Sequence, residues 1–138
     1  MRATVTWVER RTFLGRSGTG HAVVMDADAA RGGDAAAASP LELVLIGTGG
    51  CAAFDVVAIL EKMRQPVEQC LVELEADRAP SDPKVFTRIL MRFRVKGRGL
   101  DAKAVERAVH LSAEKYCSAS IMLAKTAKID HEIVIEEP

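Results

Sequence analysis

The stretch "SPLELVLIGTGGCAAFDVVAIL", residues 39–60, decides the fold. A serine followed by a proline opens it, and serine at the cap with proline at the first helical position is typical of a helix start. The apolar run continues to about Gln65, and its only charged residues before Glu61 are Glu42 and Asp55. The stretch therefore predicts one helix of about 36 Å, at 1.5 Å per residue.

The same stretch could also form a strand–turn–helix unit or a membrane span. A strand, a glycine turn and a helix would imitate a dinucleotide-binding fingerprint, but G-T-G-G-C-A lacks the full G-x-G-x-x-G spacing, and no repeated strand–helix units surround it. A membrane span fits the length. However, an unpaired Asp55 deep in hydrocarbon would cost about 3 kcal/mol. A buried helix is therefore favoured.

Three glycines, Gly47, Gly49 and Gly50, interrupt this helix beside Cys51. Each interior glycine costs about 1 kcal/mol relative to alanine, so something must compensate for three of them. Glycine lets another backbone or a ligand approach closely. The helix is also apolar nearly all round, which requires burial on every side. A single chain of 138 residues hardly surrounds it, and we expect a homodimer in which two such helices pack together.

The other elements follow from alternating hydrophobicity, turn residues and helix caps. In chain order we predict a three-stranded meander (2–26), a flexible loop (27–39), the long helix, two strands (70–77 and 86–95) joined by a turn, a helix capped by Asp101 and ending near Tyr116, a short helix from Ser118, and a last strand (129–137). No internal repeat or second domain is evident. The prediction is a single α+β domain over residues 1–138.

Composition excludes several classes of partner. Lysine plus arginine and aspartate plus glutamate both count 19, and this balance argues against a nucleic acid or an anionic membrane. Aromatic residues make up 4%, too few for a base-stacking platform. Cysteines and histidines are scattered without close ligand pairs, so we predict no metal site and no cofactor. An odd cysteine count and no signal-like start predict a cytoplasmic protein.

Two cysteine-bearing segments, "SPLELVLIGTGGC" (39–51) and "EKYCSASIML" (114–123), resemble the two motifs of the OsmC family, which comprises osmotically inducible protein C and its organic hydroperoxide resistance relatives. The order of predicted elements agrees over essentially the whole chain, and the short OsmC-like branch is the nearest match. The resemblance implies an intertwined α+β homodimer, with antiparallel sheets around long central cysteine-bearing helices.

The resemblance also implies a set of site residues. Cys51 would be the attacking thiolate and Cys117 the resolving cysteine, while Arg16 would supply a positive charge and Glu42 the carboxylate that holds it. The resistance enzymes carry glutamate directly after the proline. This chain has Leu41 there and Glu42 one position later, a shift of about 100° around a helix.

Such a site implies a thiol-dependent peroxidase that reduces organic hydroperoxides in oxidative-stress defence and is reset by an external dithiol. Cys70, in the middle of a predicted strand, is interpreted as a packing residue. An alternative of a different class is a non-catalytic binding protein that holds a small apolar ligand in the same dimer groove. An uncharged pocket would favour the binding protein, and an arginine beside Cys51 with a bonded carboxylate would favour the enzyme.

Overall fold

A computed structural model describes all 138 residues, Met1 to Pro138. The elements are β1 (Ala3–Glu9), β2 (Thr12–Ser17), β3 (Ala22–Met25), α1 (Pro40–Lys62), β4 (Gln69–Arg78), β5 (Phe86–Lys96), α2 (Ala102–Leu111), a π-helical turn (Ser112–Tyr116), α3 (Ser118–Leu123) and β6 (Lys128–Glu136). Residues Met1–Leu45 and Ile46–Pro138 each form a compact unit, and the boundary falls inside α1. The single domain therefore stays a prediction.

The first unit contains the meander that the sequence predicts. Strands β1, β2 and β3 pair antiparallel in chain order. The following loop is more ordered than predicted, because a buried carboxylate organises it. Asp26 accepts hydrogen bonds from the backbone N–H groups of Ala36, Ala27 and Asp34. These bonds, that of Ala36 foremost, lower the pKa of Asp26.

Helix α1 is continuous through its glycines, which confirms the prediction of one helix and rules out the strand–turn–helix alternative. Ser39 and Glu42 form a capping box: the Ser39 N–H donates to Glu42 Oε2 at 2.7 Å, and the Glu42 N–H donates to Ser39 Oγ at 3.3 Å. By length and hydropathy α1 could cross a membrane, a criterion that core helices of soluble proteins also meet. The cytoplasmic location stays a prediction.

Within the second unit α1 has two different apolar faces. One is buried and comprises Thr48, Gly49, Ala52, Val56 and Leu60. The other is an exposed stripe of Ile46, Gly47, Gly50 and Phe54, in which Ile46 is 60% and Phe54 74% exposed.

Of the three glycines, only Gly49 has an atom of the same chain close to the place where a Cβ would lie. A Cβ on Gly49 would lie 2.6 Å from Cδ1 of Leu74 on β4, so glycine lets the sheet approach the helix here. A Cβ on Gly47 or Gly50 would meet nothing within 4 Å. The close approach predicted from the glycines is therefore found at Gly49 alone.

The second sheet has the order β4–β5–β6, and one pairing corrects the expected antiparallel arrangement. Strands β4 and β5 form the antiparallel hairpin, but β6 runs parallel to β5. The segment between them contains α2 and α3. A helical crossover of this kind returns the chain to the end of the sheet from which β5 started. The inward face of β5 carries Ile89, Met91, Phe93 and Val95, all buried.

The other face of this sheet is charged, with a basic strand between two acidic ones. Ion pairs join Arg88 to Asp130 (3.1 Å), Arg92 to Glu132 (2.7 Å) and Arg94 to Glu136. Arg92 also lies 3.8 Å from Glu73 on β4. Water reaches all of these pairs and screens the attraction between their charges, so they add little to stability.

The helix predicted to run from Asp101 to about Tyr116 is interrupted. Asp101 caps it as expected, since its carboxylate accepts from the Lys103 N–H at 2.9 Å. However, α2 ends at Leu111 and a π-helical turn follows, in which the Cys117 N–H donates to the Ser112 carbonyl at 2.8 Å. The wider turn carries one more residue than an α-helical turn, and such turns occur frequently at functional sites.

His131 should make stability fall as the medium becomes acidic. The residue is exposed, but its ring stacks on Phe93 with 6.0 Å between centroids, and the partial desolvation of the ring lowers the pKa of His131. The unfolded chain, with a histidine pKa near 6.5, then binds a proton before the folded chain does. The stability that the neutral His131 ring contributes is therefore fully present above the pKa of the unfolded chain. It is lost as the pH falls from that value towards the lower pKa of the folded chain.

We expect His131→Leu to lose less stability than wild type between about pH 7 and pH 5, measured as urea midpoints. Carboxylates with lowered pKa values, such as Asp26 and Glu42, lose their contributions only in more acidic solution. The control is His21→Gln, on an exposed turn. Equal pH slopes for wild type and His131→Leu would contradict the prediction.

Candidate active site

Two cysteines and one carboxylate meet in the second unit. The Sγ atoms of Cys51 and Cys117 and a carboxylate oxygen of Asp55 all lie within 4.8 Å of one another. Cys51 and Asp55 are four residues apart on α1 and so share a face of the helix. Cys117 arrives from the break between the π-helical turn and α3. The structure thus brings together the two cysteines that the sequence singles out and adds a third group.

Cys117 is completely buried and held by the first turn of α3. The Ser120 N–H donates to its sulfur at 3.4 Å, and the Ser120 hydroxyl lies 3.0 Å from the same sulfur. Burial raises the pKa of the Cys117 thiol, and the neighbouring Cys51 sulfur raises it further, while the Ser120 contacts oppose these effects. The balance keeps Cys117 protonated to higher pH than an ordinary cysteine.

Cys51 and Asp55 are only half-buried, so solvent reaches this side of the cluster. The buried hydroxyl of Ser112, the first residue of the π-helical turn, lies 3.3 Å from Asp55 Oδ2 and 3.5 Å from the Ala52 carbonyl. Because the hydroxyl can donate to the carboxylate, it orients the Asp55 side chain from the protein interior.

A mostly apolar cleft of about 400 Å³ opens on the Asp55 side of the cluster. Its apolar lining includes Phe54, Ile59 and Leu111, and its two charged residues are Asp55 and Lys62. An apolar cleft of this size with a few polar groups is typical of a small-molecule site.

Cys70 lies apart from the cluster. It pairs with Val95 across the β4–β5 hairpin and is half-buried. Burial raises the pKa of the Cys70 thiol. A protonated thiol on a regular strand suits the packing role that the sequence predicts for it.

Arg16 and Glu42, the other two predicted site residues, lie in the first unit. Arg16 is exposed on β2, where it pairs with Thr4 and Ala22 across the strands, and its side chain makes no ion pair within the chain. The Glu42 carboxylate caps α1 through Ser39, and that hydrogen bond lowers the pKa of Glu42. Their roles at the cysteine pair stay predictions of the family resemblance.

Three groups around the cysteines were not predicted from the sequence. Asp55 could have been found, because it stands four residues after Cys51 on a predicted helix. Ser120 stands three residues after Cys117. That is the position whose N–H a capping side chain contacts at the start of a helix, and here the capping atom is the Cys117 sulfur. Ser112 gave no local signal, because its contact with Asp55 joins segments far apart in the sequence.

The family model described as OsmC-like protein matches residues 32–132. The chain belongs to the OsmC-like family. The mixed α+β architecture with two sheets is that of OsmC-like structures, which confirms the predicted fold class. The homodimer is outside these findings and stays a prediction.

Relatives of this OsmC-like chain span nearly its full length. Protein YhfA of Escherichia coli K12 is 51% identical over 131 residues, 95% of each chain. A hypothetical protein from Aquifex aeolicus VF5 is 27% identical with a TM-score of 0.87, covering 99% of this chain and 96% of that one. An organic hydroperoxide resistance protein from Legionella pneumophila has the same fold at 16% identity, with a TM-score of 0.72 and coverages of 96% and 95%.

Proposed function

We propose that this OsmC-like protein is a thiol-dependent peroxidase that reduces organic hydroperoxides through Cys51 and Cys117. The observation that carries the proposal is the approach of the two sulfur atoms within 4.8 Å at a break between helices. The name of the Legionella relative, an organic hydroperoxide resistance protein, agrees with a peroxide-related redox role.

Exposure and charge distinguish the two cysteines. The thiolate is the nucleophile towards peroxides. Burial and the Cys51 sulfur raise the pKa of Cys117, so Cys117 is poorly suited to be the attacking thiolate. Cys51 is half-buried and reachable, whereas Cys117 is completely buried. We therefore assign attack on the peroxide to Cys51 and resolution to Cys117.

In the first step the Cys51 thiolate attacks the terminal peroxide oxygen and the O–O bond breaks. The leaving alkoxide takes a proton to become an alcohol, and Cys51 becomes a sulfenic acid. In the second step the Cys117 sulfur attacks the Cys51 sulfur, an S–S bond forms and water leaves. Two thiols and one hydroperoxide thus give a disulfide, an alcohol and water. An external dithiol restores both thiols by exchange.

The apolar cleft supports an organic substrate over hydrogen peroxide. Its side chains can bury a hydrocarbon group beside Asp55, at about 25 cal/mol for each Å² of apolar surface removed from water. Hydrogen peroxide has no such surface and gains nothing from the cleft. The same cleft would serve an apolar ligand if the protein were a binding protein without catalysis.

A homodimer is part of the proposal. The exposed stripe of α1 places Ile46 and Phe54 on either side of Gly50, where a Cβ would have open space. Large apolar residues around glycine suit close packing against a second helix, and a second copy of this chain supplies one.

The test is a thiol count. With one equivalent of cumene hydroperoxide per chain we expect wild type to fall from three free thiols to one and to recover all three with dithiothreitol. Peptide mapping should find Cys51 joined to Cys117. The control Cys70→Ser should fall from two thiols to none. If wild type keeps its three thiols, the peroxidase proposal fails and the apolar-ligand binding protein takes its place.

A further inference from the structure

The cysteine cluster has a composition that its proposed redox role does not need. A thiol pair is sufficient to form a disulfide, yet a carboxylate lies within 4.8 Å of both sulfurs. Tetrahedral zinc, with bonds of about 2.3 Å to sulfur and about 2.0–2.2 Å to oxygen, holds its ligand atoms about 3.5–3.8 Å apart. Side-chain movements of about 1 Å therefore suffice to bring Cys51, Asp55 and Cys117 into that geometry.

We propose that the reduced protein binds one zinc ion per chain through Cys51 Sγ, Cys117 Sγ and the Asp55 carboxylate, with a fourth coordination position open. This inference does not depend on the peroxidase proposal, because it concerns binding by the reduced side chains alone. It replaces the expectation from sequence that the chain has no metal site.

Electrostatics favour a cation at this place. Asp55 takes part in none of the ion pairs within the chain; its hydrogen-bond partner is the uncharged Ser112 hydroxyl. Two thiolates and a carboxylate so close together would repel one another in a partly buried site. A dication removes this repulsion, and binding it as thiolates releases to solvent any proton that the sulfurs carry.

The fold places the three ligands on two rigid elements, and neighbouring serines contact two of them. Cys51 and Asp55 stand four residues apart on a rigid helix, the spacing by which paired ligands on one helix face reach one metal. Cys117 approaches from a separate element, so the three ligands enclose a point instead of lying along a line. Ser112 contacts the Asp55 carboxylate and Ser120 contacts the Cys117 sulfur, and such outer partners fix ligand geometry.

The donor set selects the metal. Two sulfur ligands disfavour magnesium and calcium, which prefer oxygen, and favour zinc among the common divalent ions. Three protein ligands with an open position differ from the closed four-ligand sets of structural zinc sites. The spacing of Cys51 and Asp55 on one helix is the only local sign of this site, because Cys117 lies far along the chain and joins them only by folding.

Zinc and the disulfide exclude each other, because both use the same two sulfur atoms. The zinc-bound form holds Cys51 and Cys117 as thiolates, and the disulfide has no thiolate to offer. The cluster therefore has two alternative states: a reduced state that holds zinc and a disulfide state that holds no metal.

The experiment is a zinc titration of the reduced protein in competition with a chromophoric chelator, with cobalt as a spectroscopic substitute. We expect one zinc per chain, and a cobalt complex with a thiolate-to-metal charge-transfer band that zinc abolishes. Asp55→Asn keeps the shape and a hydrogen-bond acceptor for Ser112 but weakens the ligand. Loss of an outer partner lowers metal affinity by about 10–100-fold, and we expect Asp55→Asn, which changes a ligand itself, to lower zinc affinity at least as much.

Cys51→Ser should lose the cobalt charge-transfer intensity of one thiolate, while Cys70→Ser should bind zinc as wild type does. Far-UV circular dichroism of the metal-free proteins checks that each variant is folded. If a cysteine variant does not fold, the zinc affinity of Asp55→Asn decides the question. The proposal is overturned if reduced wild type does not bind zinc. It is equally overturned if Asp55→Asn binds with unchanged affinity, or if Cys70→Ser weakens binding as much as Cys51→Ser does.

Discussion

Replacing Cys51 by serine should reduce the rate of organic hydroperoxide consumption by at least about a thousandfold, since loss of a catalytic nucleophile has effects of this order or larger. A serine hydroxyl is not ionised near neutral pH and gives no stable oxidised product on the way to a disulfide. Cys117 cannot take over, because it is completely buried and its pKa is raised. The measurement is peroxide consumption with a dithiol as reductant.

The partner variant separates the two roles. In Cys117→Ser the first oxidation of Cys51 should proceed at nearly the wild-type rate, because the attacking sulfur is unchanged. The reaction should then stop at a sulfenic acid that dimedone traps, and excess peroxide should carry it to the sulfinic acid. Cys70→Ser should turn over normally. If Cys117→Ser slows the first oxidation as much as Cys51→Ser does, the assignment of attack to Cys51 is wrong.

Introducing a charge into the exposed stripe should separate the proposed dimer. Sedimentation of wild type at micromolar concentration should give twice the chain mass of 14.9 kDa, and Gly50→Glu should give the single mass. Within one chain the new side chain meets open space, and glutamate favours a helix over glycine by up to about 1 kcal/mol. Folding should therefore be preserved while a close helix contact is lost.

Ala102→Glu is the matched control, since it adds the same charge at an exposed first helical position of α2. It should sediment as wild type does. A wild-type chain that is monomeric at micromolar concentration would rule out the dimer. A Gly50→Glu variant that stays dimeric would place the interface away from the stripe.

The elements that sequence predicted well are those with local signals. Ser39 and Asp101 mark the starts of α1 and α2 through side chains that bond nearby N–H groups, and alternation along β5 separates its arginines from its buried residues. The antiparallel arrangement expected of the sheets was wrong for β6, because strand pairing depends on where a crossover returns the chain. The π-helical turn was missed because its extra residue leaves no trace in hydrophobic periodicity.

The site was predictable only in part. Cys51 and Cys117 were found together through family motifs, since nothing in their spacing shows that they meet. Asp55 carried a usable signal, its i,i+4 spacing from Cys51, but was considered only as a cost of membrane insertion. The contact of Ser112 with Asp55 depends on how α2 lies against α1, which a linear sequence does not state.

The charged face of the second sheet determines which strands can be neighbours. Basic β5 stands between β4, with Glu73, Glu75 and Asp77, and β6, with Asp130, Glu132 and Glu136. During folding β6 could add to either side of the β4–β5 hairpin, but beside β4 it would place acid against acid. The same charges discourage mispairing between molecules, because the two open edges of the sheet are both negative. Concentrated salt would weaken this discrimination and make edge-to-edge aggregation easier.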